Sequence, residues 1–126
     1  MSSKKTSSLV FALLLLFGCS PASETHSETD QERARQTLIT ALDAWKSGNL
    51  SALTTAAPPI RLNDDDLLSG LQLKDYEVLE PDTPIQPFQD VAVKLILESS
   101  QGESVTKTAT YQVGLKPVLS VLRSDN

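Results

Sequence analysis

Cysteine and histidine are nearly missing from this chain, which holds one of each, Cys19 and His26. A lone cysteine excludes an intramolecular disulfide. With no second thiol or imidazole beside it, a thiolate–imidazole metal site is excluded as well. His26 lies in residues 20–28, SPASETHSE, a polar stretch that reads as a flexible tether. A mobile linker cannot hold a ligand or catalytic group in place, and the domain beyond it has no imidazole of its own. Long apolar runs are missing too. The longest, residues 9–17, has nine residues, far below the roughly 20 that a membrane-spanning helix needs. Cations are in the minority, with 11 Lys and Arg against 16 Asp and Glu and a net charge of −5. An acidic chain with scattered Lys and Arg carries no footprint for nucleic acid or for anionic lipid surfaces.

What the short apolar run does provide is a leader. Lys4 and Lys5 form a basic start, and residues 9–17 match the length of a secretory h-region. The run ends Leu16-Phe17-Gly18-Cys19, which resembles a bacterial lipobox: aliphatic, variable, small, then cysteine. That resemblance implies that the Cys19 thiol receives a diacylglyceryl group and that cleavage occurs just before it. Two acyl chains anchor a protein firmly where one does so marginally, so Cys19 is a tether and neither a redox nor a catalytic group. Ser20 stands where an aspartate would retain a lipoprotein at the inner membrane. The implied location is therefore the cell envelope, at the outer membrane facing the periplasm. The organisation expected is a lipoprotein signal peptide over 1–18, a lipidated cysteine and tether over 19–28, and one domain over 29–126. The mature chain of 108 residues has nine basic and sixteen acidic side chains, a balance of −7. About a hundred residues are enough to bury a working core without a disulfide.

The domain opens with an amphipathic helix over 30–47. Thr29 and Glu32 stand in capping-box spacing, and Asp30 adds negative charge to the first turn. Ala34, Leu38, Ala41, Leu42 and Trp45 then recur on one face. Gly48 is placed for a left-handed C-cap, with Lys46 in the last turn. Leu50 and Leu53 suggest one more short helical turn before Pro58-Pro59. Residues 63–70, NDDDLLSG, invite comparison with a calcium loop. Leu67 and Leu68 interrupt the ligand series, however, and position twelve from Asp64 is Asp75 rather than glutamate. The spacing predicts instead a single helical turn capped by Asn63 or Asp64 and ended at Gly70.

From Leu71 the period changes to two. Strands are expected over 71–79, with a bulge near Lys74-Asp75, over 88–98, over 104–113 and over 118–123. Val91, Val93, Leu95 and Leu97 share one face of the second, and its partly apolar reverse face places it centrally. Val105, Ala109, Tyr111 and Val113 face inward on the third, with Thr106, Thr108, Thr110 and Gln112 outward. A hairpin turn at 99–102 uses Gly102 for positive φ. Helix first and strands after predict an α+β domain: one long N-terminal helix packed on a curved antiparallel sheet of about four strands. Trp45 is read as a core anchor at the helix end. The threonine row is read as β-propensity on a solvated face.

The segments Ala41-Leu42-Asp43-Ala44-Trp45-Lys46-Ser47-Gly48, Pro58-Pro59-Ile60, Thr110-Tyr111-Gln112-Val113-Gly114 and Pro117-Val118-Leu119-Ser120-Val121-Leu122-Arg123 resemble those of short uncharacterised bacterial proteins. The element order is similar to NTF2-like and cystatin-like folds, in which a helix lies in the curve of an antiparallel sheet. NTF2-like enzymes place acid–base residues, often His and Asp, inside that cone. Here the inward strand positions are mostly aliphatic and no histidine follows His26. Asp75, Glu77 and Glu80 fall in outward or edge register. The expectation is a lipid-anchored binding or scaffolding module that is not an enzyme and carries neither metal nor cofactor. It would meet the membrane through Cys19, and an envelope protein or small ligand, but no nucleic acid, through its domain. The alternative is an envelope enzyme of NTF2-like type acting on a small molecule.

Overall fold

Helix α1 runs Ala22–Ser47. The chain is seen here in a computed structural model that describes residues 22–125, with side chains from residue 29. The helix starts before the expected Asp30, so Thr29 and Glu32 lie within it and do not cap it. No glycine or proline falls between Ala22 and Ser47, and Ala and Glu are good helix formers, so nothing in the sequence stops the helix at Thr29. Its far end is a Schellman motif. Gly48, with φ of 75°, donates to the Trp45 carbonyl at 3.1 Å, and Asn49 donates to Ala44 at 2.9 Å. The apolar stripe faces inward as its spacing predicts: Ala34, Leu38, Ala41, Leu42 and Trp45 are all buried. A short α2, Ser51–Thr55, buries Leu53.

The four expected strands are present as β2 (Gln72–Val78), β3 (Val91–Glu98), β4 (Ser104–Gly114) and β5 (Leu119–Arg123). A fifth, β1 (Ile60–Asn63), was hidden by its length of four residues behind a double proline. Pro59 precedes it, and proline is tolerated at the start of an edge strand because no ladder donor is needed there. The sheet order is β1-β5-β4-β3-β2, and β1 runs parallel to β5 while every other pair is antiparallel. The sheet is therefore mixed, not antiparallel throughout. It curls strongly, so that α1 packs against both edge strands as well as β4 and β5. The bulge expected near Lys74 is there as a register shift between Leu73 and Asp75. It turns the edge strand so that Tyr76 and Val78 come opposite Leu95 and Val93 on the inner side.

Two strand expectations need correcting. Phe88 does not begin β3. It sits in a turn closed by Gln89 N–H on the Gln86 carbonyl at 3.3 Å, with Pro87 before it and φ of 64° at Phe88. Proline pre-sets the first central position of such a turn, and the second needs positive φ. Val105 shares the inward register of β4 but lies beside the 99–102 turn, at the tip of the hairpin, and is exposed. The core itself gathers Leu38, Leu42 and Trp45 from the helix with Leu73, Val93, Leu95, Leu97, Ala109, Tyr111, Val113 and Val121 from the sheet. Ile85 joins it from the proline-rich loop between β2 and β3.

Candidate functional site

The acidic run at residues 64–66 is where the polar chemistry of the interior collects. Helix α3, Asp65–Leu68, is a single turn N-capped by Asp64, whose Oδ1 accepts from Asp66 N at 2.7 Å and Leu67 N at 3.1 Å. Gly70, with φ of 91°, and Leu71 close its far end by donating to Leu67 and Asp66. Of the two expected caps, Asp64 is the one used. Asp64 is also fully buried, and its other partners come from the distant strands β4 and β5.

The Tyr111 hydroxyl donates to Asp64 Oδ2. Arg123 Nη1 donates to Oδ1 at 3.1 Å and Oδ2 at 3.2 Å. The same nitrogen reaches Asp66 Oδ2 at 2.9 Å, while Lys107 Nζ reaches Asp66 Oδ1 at 3.2 Å. Arg123 Nε donates to Asp125, which also accepts from the Thr110 backbone N–H at 3.0 Å. The Arg123 guanidinium lies 6.0 Å from the centre of the Tyr111 ring. Two cations thus serve three carboxylates in the inner curve of the sheet, tying α3 to β4, β5 and the residues that follow β5.

Electrostatics fixes the charge states. Burial works against ionisation of Asp66, but hydrogen bonds from Arg123 and Lys107 outweigh it and hold the carboxyl below its ordinary range. Asp125 is held low in the same way: burial opposes ionisation, and the bonds from Arg123 and from Thr110 N–H prevail. Burial first, then the bond to Asp64, pushes the Tyr111 phenol well above its usual value. Burial would lower Arg123, but its bonds to Asp125 and Asp66 raise it further. At neutral pH Arg123 is therefore a fixed cation, Tyr111 a neutral donor, and Asp66 and Asp125 are carboxylates.

Such a cluster resembles an acid–base site until its partners are counted. Asp64 accepts from two backbone N–H groups, one phenol and one guanidinium. A base needs a free lone pair within reach of its substrate, and both oxygens of Asp64 are engaged. The arrangement acts as a clamp. Buried ionic groups that are paired and hydrogen-bonded fix geometry, and removing one partner is costly. The polar residues singled out from the sequence elsewhere stay apart from it. Asp75 is exposed, pairs with Lys46 at 3.2 Å, and is held low by the Tyr76 backbone N–H and then by Lys46. Glu77 and Glu80 are exposed. Thr106 and Thr108 face solvent. Among the described residues no group of three His, Cys, Asp or Glu side chains is placed to hold a metal ion.

Cys19 and the whole lipobox at residues 16–19 lie outside the described residues, and so does the His26 side chain. No helix among the described residues is long and apolar enough to cross a membrane. Sequence reasoning placed Asp64 as a cap and Tyr111 inward but missed that they meet. It missed Arg123 altogether. The one available signal was its period-two register with Val121, which puts a guanidinium on the inner face. The fold and the clamp together define a small α+β domain with a helix held in a curled mixed sheet. Compared with family models, curated proteins and solved structures, the chain finds no match.

Proposed function

We propose that this chain is a lipid-anchored protein of the bacterial cell envelope whose α+β domain serves as a binding or scaffolding module. The observation that carries the anchor is the ordered series Lys4-Lys5, the nine-residue apolar run, and Leu16-Phe17-Gly18-Cys19. Ser20 directs the anchored protein to the outer membrane, with the domain in the periplasm. A binding role is supported over catalysis by the saturation of Asp64: the one fully buried acidic side chain among the described residues is occupied in holding the fold. An NTF2-like enzyme acting on a small molecule would need a free acid or base in that inner curve. Asp64, Asp66 and Tyr111 are each engaged there.

The test is at Cys19. Cells fed an alkyne-bearing palmitate analogue should label the parent chain, and the label should vanish in Cys19→Ala together with firm membrane association. A Cys19→Ala variant that stays labelled and membrane-bound would overturn the anchor.

A further inference from the structure

We infer that the cleft at the C-terminal end of α1 binds a single-chain amphiphile with an anionic headgroup. The cleft has a volume of about 400 Å³, within the range of small-molecule sites and too small to seat a folded partner. Its apolar wall comes from four segments that are separate in sequence. Trp45 closes α1, Leu50 precedes α2, Leu67 lies on α3, and Leu71 leads into β2. Leu50 is 37 % exposed, and Leu67 and Leu71 are half-buried. These leucines converge yet leave apolar surface open to water, which a hydrocarbon chain would cover. Gly48 and Gly70 end their helices at the same cleft, and a Cβ on either would meet nothing within 4 Å. The space between the two helix ends is therefore open.

The rim sets the headgroup. Lys46 and Lys74 both line the cleft, and their side chains are 46 % and 49 % exposed. Their partners, Asp75 at 3.2 Å and Glu98 at 3.6 Å, form exposed pairs of the weak kind that a ligand carboxylate can exchange with. The C-termini of α1 and of the single-turn α3 contribute at most about half a negative charge each, less than the two ammonium groups. The larger cleft, of about 640 Å³ between α1 and the proline-rich loop, offers no such wall. Beside Pro81, Pro84 and the buried Ile85 it is lined by polar side chains, Gln31, Glu32, Arg35 and Asp82 among them, and Arg35 already bridges it to the Thr83 carbonyl at 2.8 Å.

The inference rests on the domain being a binding module and not on the anchor, so its test is separate from that of Cys19. Trp45 is the only tryptophan in the chain. Its indole N–H donates to the Leu71 carbonyl at 3.1 Å, inside the cleft wall. The ring is only 4 % exposed, so its emission is a secondary readout beside calorimetry. The full, unlipidated chain is titrated with dodecanoate below the micelle concentration, and in parallel with dodecyltrimethylammonium. Calorimetry on the same titrations should show saturable binding, with dodecanoate at least about fivefold tighter than the cation. Leu50→Asp should weaken dodecanoate at least about tenfold. That substitution does not endanger the fold, because the Leu50 side chain is outside the buried core and makes no capping bond. Lys74→Gln should weaken binding by about threefold to fivefold. Absent or unsaturable binding heat would overturn the site. So would a response that Leu50→Asp leaves unchanged, since binding would then lie elsewhere, for instance on residues 9–17. Equal or tighter binding of the cation would overturn the headgroup class.

Discussion

Replacing Asp64 with alanine would strip the clamp of its centre. The two backbone N–H groups at the start of α3 would lose their cap, a change that costs about 1 kcal/mol. The fully buried Tyr111 hydroxyl would lose its acceptor, worth about 1–3 kcal/mol. Arg123 would keep Asp66 and Asp125, so the full penalty for an orphaned buried charge does not apply, and about 1–2 kcal/mol is a fair share. The total is about 3–6 kcal/mol, a large part of the roughly 5–15 kcal/mol that holds a small domain together. Urea melts followed by Trp45 fluorescence measure it, with Asp65→Ala as the control. Asp65 is the exposed neighbour in the same turn, and its loss should cost under about 1 kcal/mol through the helix dipole alone. Should Asp64→Ala fail to fold, Tyr111→Phe still reads the clamp, at about 1–3 kcal/mol. If both Asp64→Ala and Tyr111→Phe fall within about 0.5 kcal/mol of Asp65→Ala, the clamp contributes nothing and the reasoning fails.

Two further outcomes follow from the same packing. Trp45→Ala should cost about 3–5 kcal/mol in denaturant melts followed by circular dichroism, because a core ring that is 4 % exposed would leave a cavity. Thr108→Ala on the outer face should cost about 0.5 kcal/mol, and a near-neutral Trp45→Ala would place the ring outside the core. Acid should destabilise the domain through Asp66 and Asp125. Both carboxyls are held low in the folded state, so the unfolded chain takes up protons first as pH falls below about 4. Their contribution is therefore complete at neutral pH and lost as pH drops through the folded values. The urea midpoint should be flat above about pH 5 and fall below it, less steeply in Asp66→Asn. A midpoint that holds constant down to pH 2.5 would refute this.

The helix was legible because Ala34, Leu38, Ala41, Leu42 and Trp45 repeat over several turns, and its end because Gly48 leaves few options. The hairpin, the Lys74 bulge and the inner faces of β3 and β4 were legible for the same reason: one buried face imposes a period of two. What escaped was everything set by distant partners. Strand β1 is too short to carry a period and exists because β5 pairs with it. Ile85 looked like loop because prolines surround it, and it fills the core from there. Phe88 had the pattern of a strand start, but Pro87 before it favoured a turn. The clamp was hidden most deeply. Asp64 had an adequate local explanation as a cap, and nothing near it in the sequence announces Tyr111 or Arg123.

The insertion of β5 between β1 and β4 dictates when this domain can fold. Arg123 meets Asp64 across 59 positions of chain, and β1 has its only pairing in the sheet with residues 119–122. A nascent chain that has reached residue 115 can form α1 and the β2–β3–β4 meander, and no more. Its β4 then presents an unpaired edge, the kind of surface on which neighbouring chains join. Closing so long a loop also slows the search for the native pairing. Assembly is thus deferred until residue 123 is available, and until then the half-made sheet is the species that a chaperone would have to shield.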